Sequence, residues 1–195
     1  MKKLPLTLTA ICMLANINYA QAAALLDVKV DGIKQGGRLD DKYAACIHAS
    51  GAHHGKGANI NPEVSWSGAP SNTKSFALIV VDPDVPADFS QANKEGAVVL
   101  SGTRRTNYYH WLALDIPKDK TSIAEGQDSS YHGPCPPWND ELIHHYHFKV
   151  FALDVPNIKI SGEATAPKII NAIEDHILAE GEAVGTFTTN PDLLK

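Results

Sequence analysis

Strand-like patterning of apolar and polar positions dominates this chain. LLDVKV (25–30) alternates, SFALIVVD (75–82) is β-branched and apolar, and YYHWLALDI (108–116) and YHFKVFALD (146–154) follow the same logic. EAVGTFTT (182–189) reads as a last strand, and turn residues such as Gly36-Gly37, Ser71-Asn72 and Pro117-Lys118 separate these runs. One stretch switches to a helical period. Ile169, Ile170, Ile173 and Ile177 fall on one face of a helix from about Pro167 to Ala179, with Pro167 in its first turn and Gly181 as its stop. Residues 87–107 carry no strong period and read as a long surface excursion. The balance predicts a mainly β protein, an antiparallel Greek-key β-sandwich with a short C-terminal helix.

Side chains two apart on a strand share a face. On the strand at 75–82 that face reads Phe76, Leu78, Val80, Asp82; on the next, His110, Leu112, Leu114, Ile116; on the next, His144, Tyr146, Phe148, Val150. Each line is apolar with a polar end. If the first strand runs antiparallel to the other two, Asp82, His110, His144 and Tyr146 meet at one rim of the core. Two proline-rich stretches flank them. In VDPDVP, Pro83 and Pro86 fix the backbone and pin Asp82 and Asp84 at the strand end; in GPCPP (133–137) the prolines stiffen an opposing wall. Rigid walls lower the ordering cost of binding a small ligand.

The ends and the charge narrow the setting. Lys2 and Lys3, the largely apolar run Leu6 to Ile17 and the Ala20-Gln21-Ala22 cleavage pattern make residues 1–22 a secretory signal peptide by sequence. The apolar run is too short, and too broken by Asn16 and Asn18, to span a membrane. The mature chain is then one domain over residues 23–195, periplasmic or secreted. Its formal charge goes from −5 to −7 when the two lysines leave. Such acidity excludes the basic surfaces that bind nucleic acid through phosphates. Cleavage also removes Cys12, leaving Cys46 and Cys135. An even pair in an oxidising compartment favours a disulfide, with two separately buried thiols as the alternative.

Five segments, in order through nearly the whole mature chain, resemble the phosphatidylethanolamine-binding protein family, also called Raf kinase inhibitor-like proteins. They are GANINPEVSW (57–66), TKSFALIVVDPDVP (73–86), YHWLALDIP (109–117), GPCPPWNDELIHHYHFKVFALD (133–154) and ILAEGEAVGTFT (177–188). The chain departs from the family pattern at Asn61, where Ser is usual, and at Asn139, where Gly often follows the prolines. The resemblance implies a β-sandwich with a small anion-binding pocket at one rim. Matched position by position, the ligand-binding residues would be Asp82, His110, Pro137, His144 and Tyr146, with Asp84 and Trp111 flanking. The two cysteines match positions that look paired in secreted bacterial relatives.

The leading reading is a non-catalytic binding protein for a small anionic ligand, a phosphate or a phospholipid head group, with no cofactor. Histidine and tyrosine supply hydrogen-bond donors, and Asp82 fits if it accepts from His110 or from a protonated ligand atom. A protein partner, a protease or host protein, is compatible with the same pocket. The competing reading is a metal-dependent enzyme with His and Asp ligands there. Against it, His144 and His145 point to opposite faces and no HExxH spacing exists. A nucleophilic hydrolase lacks a GxSxG elbow. His48, His53 and His54 are assigned to a solvated loop, Trp66 and Trp138 to packing.

Overall fold

The run SFALIVV has no polar alternate position, and its place in the fold explains why. A computed structural model describes residues 24–33 and 37–194, so the signal peptide read over 1–22 lies outside the described residues. In chain order the strands are β1 (Ala24–Leu25), β2 (Asp27–Val30), β3 (Cys46–Ala49), β4 (Ala52–Lys56), β5 (Val64–Ser67), β6 (Ser75–Pro86), β7 (Arg105–Pro117), β8 (Ser122–Ile123) and β9 (His144–Leu153). Helix α1 (Ala166–Glu174) and strand β10 (Ile177–Phe187) follow. A five-stranded sheet runs β1-β10-β9-β6-β7, antiparallel except for the β1–β10 pair. A three-stranded sheet runs β2-β5-β8, and β3 pairs with β4 as a hairpin.

β6 lies inside the large sheet and is buried on both faces. Phe76, Leu78 and Val80 face the main core with Val28, Val30 and Trp66 of the small sheet. Ala77 and Ile79 face a second cluster under α1, with Ile169 and Ile173. Strands covered on both faces read as continuous apolar runs rather than alternating ones. The long antiparallel partners of β6 are β7 on one side and β9 on the other, which sets the strand directions the rim required.

The β9 parity holds: His144, Tyr146, Phe148 and Val150 are all buried on one face. The β7 parity does not. Val80 pairs with Trp111 and Val81 with Tyr109, so His110 is an extra residue opposite no partner. This β-bulge, with another register shift further along, turns Trp111, Ala113 and Ile116 toward the main core. Leu112 and Leu114, placed by period two on His110's face, instead pack under α1.

The helix also ends early. Asp175 caps it after Glu174, and Ile177, counted on the helical face, opens β10. Gly181 is therefore no helix stop; it sits mid-strand where the chain at Leu26 crosses. A Cβ there would stand 2.2 Å from the Leu26 carbonyl oxygen. Close backbone approach, rather than chain termination, is its role.

Candidate binding pocket at the sheet rim

Asp82, His144 and Tyr146 converge where β6 and β9 leave their last paired residues, Val81 and His147. Asp82 and His144 are each 1% exposed. Asp82 Oδ1 accepts the Asp84 N–H at 2.7 Å, and Oδ2 accepts His144 Nδ1–H at 2.7 Å. The partner of Asp82 is thus His144, not His110. The other His144 nitrogen, Nε2, donates to Asp140 Oδ2 at 3.3 Å. Asp140 is in turn gripped by Arg105 through both carboxylate oxygens, with Nη2–Oδ1 at 2.9 Å.

Burial alone would lower the His144 pKa. The hydrogen bonds to Asp140 and Asp82, with the charges of both carboxylates, override it and lift the imidazole to about 9. Burial would likewise raise Asp140, but His144, Arg105 and the Leu142 N–H hold it low. The result is a compensated chain of two carboxylates and two cations, fully committed to one another. His144 has no N–H left for a ligand.

His110 behaves differently. Its Nδ1–H donates to the His132 carbonyl at 2.7 Å, and the His132 N–H returns to the His110 carbonyl at 2.8 Å. Burial, only partly opposed by that carbonyl and by Asp82, lowers the His110 pKa below the usual 6.5. The ring is neutral at pH 7 and Nε2 keeps its lone pair. Tyr146, also 1% exposed, packs edge-on to His110 with centroids 5.0 Å apart. Burial, the nearby Asp82 charge and a loose hydrogen-bond approach to Asp82 hold its phenol protonated, yet the hydroxyl makes no hydrogen bond of regular geometry within the protein. A buried donor left without a partner is costly, by about 1–3 kcal/mol.

These groups line a cavity of about 190 Å³, closed by Tyr108, His132, Cys135, Pro136 and Pro137, with Val85 and Phe89 at its side. Drug-sized sites run to roughly 300–1,000 Å³, so this one suits a small group. Pro137 sits on the wall as the sequence places it. Asp84 and Trp111 have structural partners instead: Asp84 Oδ2 accepts both the backbone N–H and Nδ1–H of His145 at 2.8 Å. Trp111 lies in the core and donates to Asp128 Oδ2 at 3.0 Å.

Sequence parity missed Asp140, Arg105, His132, Tyr108 and Phe89. Asp140 had a usable signal, since it stands four residues before His144 in an otherwise stiff loop. Arg105 had none, because it reaches the site from the unpatterned excursion. That excursion is no loose surface loop. Asn139 Oδ1 accepts the Asn93 N–H, Asn139 Nδ2 donates to the Gln91 and Ala97 carbonyls, and Val99 bridges to Asp140.

Cys46 and Cys135 form a disulfide, which ties the start of β3 to the GPCPP wall. His48, His53 and His54 lie on the β3–β4 hairpin rather than in a loop, and His53 stacks on Trp138 at 3.6 Å. No helix among the described residues is long and apolar enough to cross a membrane.

Comparison with known proteins agrees with the fold. The family model described as phosphatidylethanolamine-binding protein matches residues 29–188. A UPF0098 protein of Chlamydia muridarum is 33% identical over 141 residues, covering 68% of this chain and 85% of its own. The UPF0098 protein YbcL of Escherichia coli is 27% identical over 93% of this chain and 97% of its own. Among solved structures, a phosphatidylethanolamine-binding protein homologue of Chlamydia trachomatis superposes with a TM-score of 0.63 at 25% identity, covering 85% of this chain and 98% of its own.

Proposed function

Because this chain belongs to the phosphatidylethanolamine-binding protein family and is on that ground a binding protein, we propose that the rim pocket holds a small anionic group, a phosphate or a phosphoethanolamine-type head group, without transforming it. The observation that carries this is the buried Tyr146 hydroxyl, without a hydrogen bond of regular geometry in the protein, beside His110 Nε2. Each can donate to an oxygen of the ligand once His110 takes a proton.

Charge bookkeeping makes proton uptake part of binding. Asp82, Asp140, His144 and Arg105 already neutralise one another. An entering anion therefore meets no uncommitted cation, and His110 is the group positioned to become one. Protonated imidazole to phosphate is a charge-assisted bond, worth roughly 1.5–3 kcal/mol.

The non-catalytic reading draws support from the same commitments. Both His144 nitrogens and the Asp82 carboxylate are occupied, so no compact His/Asp chelating set is free at the pocket. Among the described residues the cluster whose ligand atoms converge is Cys46, His54 and Cys135, which includes neither Asp82 nor His110. The proposal places the protein in the periplasm or outside the cell, since a disulfide persists in oxidising compartments. It extends to control of a protein partner at the pocket mouth, where Phe89 and Tyr108 are 58% and 45% exposed.

Calorimetry with phosphate and phosphoethanolamine tests it. Binding should take up about one proton above the His110 pKa, so affinity falls about tenfold per pH unit as pH rises through that range. His110→Gln and Tyr146→Phe should each cost about tenfold or more, and His110→Gln should abolish the proton uptake. Undiminished binding with unchanged proton uptake in folded His110→Gln would place the ligand elsewhere.

A further inference from the structure

The β3–β4 hairpin and the GPCPP wall bring together a second group of side chains, of which Cys135 alone also lines the pocket. We infer that reduction of the Cys46–Cys135 bridge converts it, with His54, into a three-ligand site for a thiolate-preferring cation, zinc(II). One ligand atom from each of the three side chains lies within 4.8 Å of the others.

The register of the hairpin explains the juxtaposition. Cys46 pairs directly with Lys56, and His54 lies two residues before Lys56. The register shifts just beyond the Ile47–Gly55 pair, where His54 sits, and at this irregularity His54 comes within reach of Cys46. Cys135 is delivered there by the wall loop, whose Pro134 carbonyl accepts N–H bonds from Ala45 at 2.9 Å and Cys46 at 3.1 Å. Those backbone bonds do not depend on the sulfurs and keep the two segments paired after reduction.

His54 is oriented as a ligand should be. Thr189 Oγ1 donates its hydrogen to the Pro136 carbonyl at 2.8 Å, so toward His54 it can only accept. His54 Nε2, 2.9 Å away, therefore carries the hydrogen toward this wall, where the Pro136 carbonyl also accepts from the ring, and Nδ1 is the nitrogen left for a metal. A ring whose second nitrogen donates to a fixed acceptor is the usual support for a metal-bound imidazole.

The chemistry balances with a dithiol reductant. The reductant gives two electrons and closes its own disulfide while the Cys46–Cys135 bond breaks and each sulfur takes a proton. Reduced sulfurs move apart to non-bonded contact, which is also the separation, about 3.8 Å, that two thiolates need on a tetrahedral zinc with bonds of about 2.3 Å. Zinc then displaces the two thiol protons to solvent. Cys135 is exposed, which leaves the fourth position on the solvent side. Thiolate with imidazole is a donor set that selects zinc over harder ions.

The test uses the full mature chain, reduced and desalted without oxygen, with zinc titrated against a chromophoric chelator and cobalt(II) as an optical probe. Reduced protein should take up one zinc per chain, and cobalt should show a thiolate charge-transfer band with tetrahedral d–d absorption. Oxidised protein should take up none. His54→Ala and His54→Gln should each weaken zinc at least tenfold and shift the cobalt spectrum, while His48→Ala and His53→Ala should not. Should the reduced chain lose its near-UV circular dichroism, zinc should restore it. Failure to restore it, absence of zinc uptake on reduction, or unaltered affinity in both His54 variants would overturn the site.

Discussion

His144 carries the fixed positive charge of the pocket floor, and its pKa of about 9 makes it a pH-dependent strut. Between 6.5 and about 9 the folded chain holds a proton that the unfolded chain has released. Its stabilisation is complete below 6.5 and is lost as pH rises toward 9, amounting to on the order of 3 kcal/mol. His110 has the opposite sign: its lowered pKa means stability is lost as pH falls below 6.5. Denaturant unfolding from pH 5 to 10 should therefore show a maximum near neutrality. In His144→Gln the alkaline slope should disappear, with a loss of about 3–5 kcal/mol at pH 7 because Asp82 is left buried without its cation. A retained alkaline slope would mean another group carries it. The same pairing makes Asp82→Ala a stability variant before it is a binding variant. Two residues that depart from the family pattern also acquire roles at this scale. Asn61 donates to the Pro62 and Ala124 carbonyls at 2.9 Å and accepts the Asp128 N–H, while Asn139 ties the excursion to the pocket wall.

Among the elements, β10 and β7 show how local rules yield to packing. Gly181 marks the close approach of the Leu26 backbone, where Leu26 N–H bonds to the Glu180 carbonyl at 2.8 Å. Gly181→Ala would force that crossing apart, since the obstacle is backbone and cannot rotate away. The expected cost is about 1–3 kcal/mol or more, read as a fall in Tm, with phosphate affinity at low temperature unchanged because the pocket lies elsewhere on the sheet. A Tm within a degree of wild type would show that the crossing relaxes freely. The bulge at His110 is the corresponding device on β7. It lets His110 face the cavity while the very next residue, Trp111, fills the core. A regular strand could not place both on one side.

For the whole molecule, the disulfide is the tie between the hairpin and the pocket wall. It closes a loop of 89 residues, and the chain-entropy model assigns such a closure roughly 4–5 kcal/mol. The Cys46→Ser/Cys135→Ser double variant should lose about that much in guanidinium unfolding at constant m. Phosphate binding should weaken as well, because Cys135 and its neighbouring prolines line the cavity. Unaltered affinity in the double variant would show that the backbone bonds from Pro134 to Ala45 and Cys46 suffice to hold the wall.

Apolar patterning by itself determined the β-rich class, the four long strands and the face of β9, because a buried face repeats every second residue wherever the strand is regular. Parity also put Asp82, His144 and Tyr146 at polar strand ends, and the antiparallel pairing of β6 with β9 then brought them to one rim. What it could not determine sits wherever regularity breaks or distance intervenes. A bulge adds one residue and inverts the side chains that follow until the next irregularity, so the β7 face was legible only from its pairing with β6. The helix stop at Gly181 dissolved because steric pressure from Leu26, distant in sequence, and a helix boundary select the same residue type. Which imidazole is charged was decided by tertiary contacts alone. His144 gains two carboxylates and His110 a carbonyl, and that difference, invisible along the chain, sets one strut and one proton acceptor at the same pocket.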